Sequence, residues 1–179
     1  MLQIQDCCLV VVDVQGRLAQ LMYDKHTLFK NIQILIKAAK ILDIPIIWCQ
    51  QCPQALGDTI GQIAELLPGI QPLNKATFSC CGLEQFNQGL NALNRRQIIL
   101  CGIEAHVCIY QTAVDLLNAG FYVQVVADAV SSRTLADRQT AVEKLKTLKT
   151  DISSVEMTLF ELLVTADHPK FKPVVELIK

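Results

Sequence analysis

The sequence predicts an α/β fold: a Rossmann-like, three-layer α/β/α arrangement around a six-stranded, mostly parallel sheet. Two observations carry that prediction. Short, nearly uninterrupted apolar runs such as CLVVV (8–12) and IILC (98–101) alternate with longer amphipathic segments. Strands apolar on both faces belong to sheets covered by helices on both sides, and β–α alternation feeds parallel strands through right-handed crossovers. Composition agrees: 51% of the 179 residues are hydrophobic and 18% charged. A chain of that size is expected to form one domain over residues 1–179 and to bury ~70% of its unfolded surface.

Taken in order, Cys7 to Val12 reads as a buried strand ending at Asp13. Asp24 is placed to cap a helix in which Leu28, Ile32, Leu35, Ala39 and Leu42 share one face. Pro45 limits that helix, and Ile44 to Trp48 forms the second strand. Between Cys49 and Pro72, the breakers Pro53, Gly57, Pro68 and Gly69 mark loops around a short helix, Thr59 to Leu66. The stretch QPLNKATFS (71–79) supplies a third strand end. Leu83, Phe86, Leu90 and Leu93 define the next helix, which leads into strand Ile98 to Cys101, stopped by Gly102. Behind Cys108, Val107, Tyr110, Val114 and Leu117 recur at helical spacing, and Gly120 ends that helix. A strand from Tyr122 to Ala127, a loop, a helix from about Leu135 to Leu148, a short strand near Ile152 to Val155 and a helix from Met157 to Val164 finish the core.

Bulk charge narrows the function. A net charge of −1 gives no electrostatic case for nucleic acid or an anionic membrane as partner. No apolar run approaches the ~18 residues of a spanning helix. The apolar surplus beyond what a buried sheet needs predicts a homo-oligomer. The opening MLQIQD has the features of neither a signal peptide nor an Arg-rich transit sequence, so a cytoplasmic location is expected, with the eight cysteines as reduced thiols.

Ligands of doubly wound sheets bind outside the carboxyl ends of the strands. Asp13 and the turn from Gly102 to Cys108 both fall there. A thiol at a strand-to-helix junction lies near unpaired N–H groups and the positive end of the helix dipole, which favours the thiolate and predicts a depressed Cys108 pKa. The competing reading is a small core residue packing the helix on the sheet. His106 stands two residues away, and such neighbours do not face each other on a helix, so a base must come from another strand end. Asp13 ends an apolar run where a carboxylate needs a partner or a task; its plainer reading is a turn former. Lys75, otherwise a surface lysine, would pair with Asp13 if it lay near Cys108.

Together VVVDVQ (10–15), KATFS (75–79) and GIEAHVC (102–108), followed by VVADAVSSR (125–133), resemble the isochorismatase-like cysteine hydrolases over nearly the whole chain. The resemblance implies a catalytic triad of Asp13, Lys75 and Cys108. It also implies a non-proline cis peptide at Ile103–Glu104, with backbone N–H groups at about Glu104 and Cys108 forming an oxyanion site, and a pocket lined by Gln15, Gln51, Phe78, Glu104 and His106. Nicotinamidases of the family bind a metal through an Asp-x-His and a further histidine. The matching loop here, WCQQCPQALGD (48–58), has none of these in place, so the resemblance carries over no metal, no other cofactor and no nicotinamide. True isochorismatases lack the cysteine. Retention of Cys108 implies covalent hydrolysis of a small-molecule C–N bond, whether amide, ureide or carbamoyl.

Two other functions compete. Trp-Cys-Gln-Gln-Cys (48–52) has the spacing of a thioredoxin-type redox site. However, Pro53 and Gly57 break any long helix behind it, and in the family this loop is a pocket wall with Gln51 and Cys52 facing the ligand. The other alternative is an oligomeric binding or scaffold protein that keeps the triad idle.

Overall fold

A computed structural model of the chain describes residues 1–179. Its centre is a six-stranded sheet in the order β3-β2-β1-β4-β5-β6, formed by β1 (Cys7–Val12), β2 (Ile46–Gln51), β3 (Leu73–Lys75), β4 (Gln97–Ile103), β5 (Tyr122–Ser131) and β6 (Asp151–Ser153). Every pairing is parallel. The helices are α1 (Gly16–Gln20), α2 (Lys25–Ile41), α3 (Pro53–Leu56), α4 (Gly61–Ala64), α5 (Glu84–Ala92), α6 (Tyr110–Asn118), α7 (Leu135–Thr147), α8 (Val155–Leu163) and α9 (Phe171–Val175). None is long and apolar enough to cross a membrane.

Side chains alternate across β1, because successive residues of a strand face opposite ways. Cys7, Leu9 and Val11 enter the core packed by α2, α4 and α8. Cys8, Val10 and Val12 enter the second core, with Phe86 and Leu90 of α5, Ala113 and Leu116 of α6, and Ala141 and Leu145 of α7. Burial on both faces is why the strand reads as an apolar run with no period. The chain leaves β1 toward β2 and β3, then returns to β4 on its other side. The switch point therefore lies between the carboxyl ends of β1 and β4, the position at which such folds open a crevice.

Gly102 is what lets those two strands approach so closely. Its φ is +119°, and a Cβ there would stand 2.1 Å from the Val12 carbonyl oxygen. The β4–β5 register also shifts between Leu100 and Gly102.

Several elements depart from the sequence reading. β2 begins at Ile46 and runs to Gln51, rather than spanning Ile44 to Trp48. Its polar end is tolerated because the side chains are paired: Gln50 Nε2 donates to Thr59 Oγ1 at 2.9 Å, and Gln51 is held as described below. The expected helix Thr59–Leu66 is only the single turn α4, preceded by the turn α3. β5 continues four residues past Ala127, through the irregular stretch opposite Gly102. Asp24 precedes α2 but sits at φ +46° and its side chain caps nothing. Caps are instead made by Thr134 on Asp137 N–H of α7 and by Ser154 on Met157 N–H of α8.

Candidate active site

Three strand ends meet at the switch point. Asp13 follows β1 at φ +53°, with its N–H donating to the Cys49 carbonyl at 3.0 Å. Lys75 ends β3, in register with Gln51 of β2. Cys108 lies five residues past the end of β4. Asp13 and Lys75 are 2% and 3% exposed, and Cys108 7%.

The Lys75 ammonium donates to Asp13 Oδ2 at 2.7 Å, to Gln51 Oε1 at 2.7 Å and to the Phe78 carbonyl at 3.0 Å, with the Thr77 carbonyl at 3.3 Å. A buried ammonium is stable only when surrounded by acceptors in this way. Burial, the largest single influence, pulls its pKa down, but the Asp13 charge and hydrogen bond together with the Cys80 and Cys108 sulfurs outweigh it and the net direction is up. Burial pushes the Asp13 carboxyl up, and Lys75 offsets only part of that. Asp13 Oδ1 is buried with no hydrogen-bond partner.

The Cys108 thiol lies beside Asp13. Burial pushes its pKa up, the Asp13 charge adds to the rise, and Lys75 opposes it. The depressed value expected from the helix dipole is therefore corrected in direction. Cys108 is not at an open helix start. It lies inside a π-helical turn, Ala105–Ile109, that precedes α6. The turn inserts an extra residue, so the buried face of the following helix is Ile109, Thr112, Ala113 and Leu116. The predicted set Val107, Tyr110, Val114 and Leu117 is only half-buried.

The Ile103–Glu104 peptide is cis. The backbone N–H groups of Glu104, Ala105 and His106 donate to no other group of the chain, as is common for the first turn of a helix.

A cavity of about 100 Å³ opens on the cysteine, lined by Asp13, Cys108, Gln51, Phe78 and Glu104. Leu18, Leu56, Ile103 and Val107 supply its apolar wall. Leu18 and Leu56 sit on α1 and α3, two short turns brought together by tertiary packing, and no local pattern marks them.

Gln15 and His106, expected in the pocket, do not line it. Gln15 is wholly buried and its amide is used up by backbone: Nε2 donates to the carbonyls of Gln51 (3.1 Å) and Gly57 (2.7 Å), and Oε1 accepts from Gln51 N–H (2.6 Å). His106 Nδ1 pairs with Ser132 Oγ at 2.9 Å. Gln51 reaches the cavity with its amide fixed by Lys75 and by the Ala76 carbonyl, to which Nε2 donates at 2.7 Å. Cys52 does not face the cavity either; its sulfur accepts from Gln51 Nε2 at 3.5 Å. Of the CxxC pair, Cys49 is buried within β2, where the Cys80 thiol and burial hold its pKa well up. That setting is the opposite of an activated redox thiol at a helix start.

Carboxylate, ammonium and thiol gathered at the switch point of this sheet define an isochorismatase-like hydrolase fold. The chain belongs to the isochorismatase family: the model for the isochorismatase domain matches residues 7–157. It is 37% identical over 175 residues to the secreted isochorismatase effector Isc1 of Phytophthora sojae, covering 96% of this chain and 83% of that protein. The MAR1 ribonuclease of Caenorhabditis elegans superposes with a TM-score of 0.94 at 36% identity, over 99% of this chain and 91% of its own. YcaC of Escherichia coli, described as an octameric hydrolase of unknown specificity, superposes with a TM-score of 0.93 over 99% of this chain and 88% of its own. At 20% identity that last likeness is one of fold alone.

Proposed function

We propose that this protein hydrolyses a C–N bond of a small amide, ureide or carbamoyl compound through a thioester on Cys108. The observation that carries the reading is the state of the Asp13 carboxylate. Lys75 fixes one oxygen, while the other is buried, unpartnered and beside a protonated thiol. Such an oxygen is placed to accept a proton as the sulfur attacks.

In the first half-reaction Asp13 takes the Cys108 proton while sulfur bonds to the carbonyl carbon. The oxyanion is held by the N–H groups of Glu104 and Cys108. The C–N bond then breaks, and the amine leaves with the proton returned by Asp13. In the second half-reaction Asp13 deprotonates a water that attacks the thioester, releasing the acid and restoring the thiol. Lys75 keeps Asp13 oriented throughout and favours its carboxylate form between the proton transfers.

A panel of small amides, ureides and carbamoyl compounds, read out by ammonia release and by mass detection of an acyl adduct on Cys108, tests the reading. Turnover without any dependence on Cys108 overturns it, and a panel-wide absence of turnover and adduct favours the idle-scaffold alternative. The activity named for the Caenorhabditis elegans relative is worth including as an RNA arm. The Glu104 carboxylate at a small cavity makes a polyanion a poor fit here.

We also propose self-association in solution. Met157 and Phe160 of α8 and Val164 just after it are exposed apolar residues, and the octamer described for Escherichia coli YcaC lends support. All eight cysteines are free thiols, which supports a reducing, cytoplasmic setting.

A further inference from the structure

Glu104 stands four residues before Cys108 and lines the same cavity. Its residue exposure is 9%. One carboxylate oxygen, Oε1, accepts from the Arg133 side-chain Nε at 3.1 Å and from the Arg133 backbone N–H at 3.2 Å. Oε2 accepts nothing from the chain. The Arg133 side chain is itself 57% exposed, so water screens its charge, whereas the Glu104 side chain is only 10% exposed. The pair therefore orients Glu104 while leaving Oε2 unpaired, and solvent screening of Arg133 weakens its opposition to the carboxylate charge. Elsewhere the wall is apolar except for Gln51, whose amide is held by Lys75 and Ala76, and Asp13, whose charge is paired with Lys75.

We propose that Glu104 is the specificity residue of this site, and that it selects small substrates carrying a positively charged nitrogen beside the scissile carbonyl. A carboxylate with one oxygen held by two donors and the other unpaired, on a mostly buried side chain that lines the cavity, is a preorganised acceptor for an ammonium group. A cavity of about 100 Å³ limits the substrate to a compact acyl group. An anionic substrate would meet Glu104 uncompensated, and a neutral apolar one would leave Oε2 without the solvent it now has. This inference rests on Cys108 being the nucleophile.

The test needs no known substrate. Cys108 is alkylated in the intact protein by 2-bromoethylamine (cationic), iodoacetamide (neutral) and iodoacetate (anionic). In each case an S–C bond forms, halide leaves and the thiol proton passes to Asp13. Rates are followed on the Cys108 peptide by mass and normalised to the rate with a small free thiol. In the wild type the cationic probe is favoured over the anionic one by roughly tenfold or more, and in Glu104→Gln the ratio falls to within about threefold of unity. Arg133→Gln, which strips the counterion but keeps the carboxylate, holds the ratio at or above the wild-type value. A wild-type ratio near unity, or one unchanged in Glu104→Gln, overturns the proposal. If no probe modifies Cys108 in the wild type, the nucleophile reading itself falls, a distinct result that takes the selection claim with it. In each variant the cationic and anionic rates are divided by the rate with neutral iodoacetamide, and an unchanged far-UV spectrum of Glu104→Gln separates lost selection from lost folding.

Discussion

Lys75 Nζ lies 2.7 Å from Asp13 Oδ2 with both side chains almost wholly shielded from water. Sixty-two residues separate them in sequence, so the pair exists only because β1 and β3 flank β2 with their carboxyl ends together. Breaking it from one side strands a buried charge. Lys75→Met should cost about 3–5 kcal/mol of stability in urea unfolding, and adding Asp13→Asn to that variant should restore a large part. Additive losses in the double variant would show that the two groups do not act as a pair.

Cys108→Ala should abolish turnover, by at least ~10³-fold, with an unchanged far-UV spectrum. The side chain is small and buried, so the expected stability change is no more than about 1–2 kcal/mol. Activity close to wild type in that variant, on any substrate found, would exclude the covalent route.

The pH–rate profile should be governed by Asp13 and not by the thiol. Burial raises the carboxyl above its ordinary ~3.9, so kcat/KM should fall on acidification with a midpoint displaced upward from that value. Cys108 is held protonated and Lys75 titrates above its ordinary ~10.4, so no inflection is expected near the free-thiol value of ~8.5. An inflection at ~8.5 would indicate a pre-formed thiolate instead.

Stability should follow the same groups, and because both are raised on folding their contributions carry the same sign. The Asp13 folded pKa exceeds the unfolded one, so the folded state binds that proton more tightly, and the contribution declines as pH rises between the two values. Lys75 is also raised, so its contribution is fully present at neutral pH and lost as pH climbs through its folded value. Urea midpoints should therefore drop steeply in strong alkali, and less so in Lys75→Met.

Gly102→Ala should destabilise by at least ~2–3 kcal/mol, because φ +119° is strained for any side chain and the Cβ would overlap the Val12 carbonyl. Since Val12 precedes Asp13, the variant should also lose activity beyond its loss of folded protein, as read at a temperature where it remains folded.

What could be read in advance follows from how local the signal is. The apolar runs, the helical faces of α2 and α5 and the strand-end positions of Asp13, Lys75 and Cys108 all depend on short-range periodicity and turn residues. The polar end of β2 could not be read, since Gln50 and Gln51 are tolerable in a strand only because of Thr59, Lys75 and Ala76. Gln15 looked like a ligand-facing amide, but its three hydrogen bonds run to the β2 end and the α3 turn. The direction of the Cys108 pKa was missed for the same reason. The helix dipole is written in local sequence, whereas burial by a packed core and the charge of Asp13 come from elsewhere in the chain.

β3, three residues long, is an edge strand whose only partner is β2, yet it carries the cation that orients Asp13. Edges of this kind open more readily than the sheet centre. When β3 frays, Lys75 departs with it and Asp13 loses its anchor, while β1, β4 and both cores stay folded. The proposed activity and global folding are thereby uncoupled: on warming, turnover should fall silent before the protein melts.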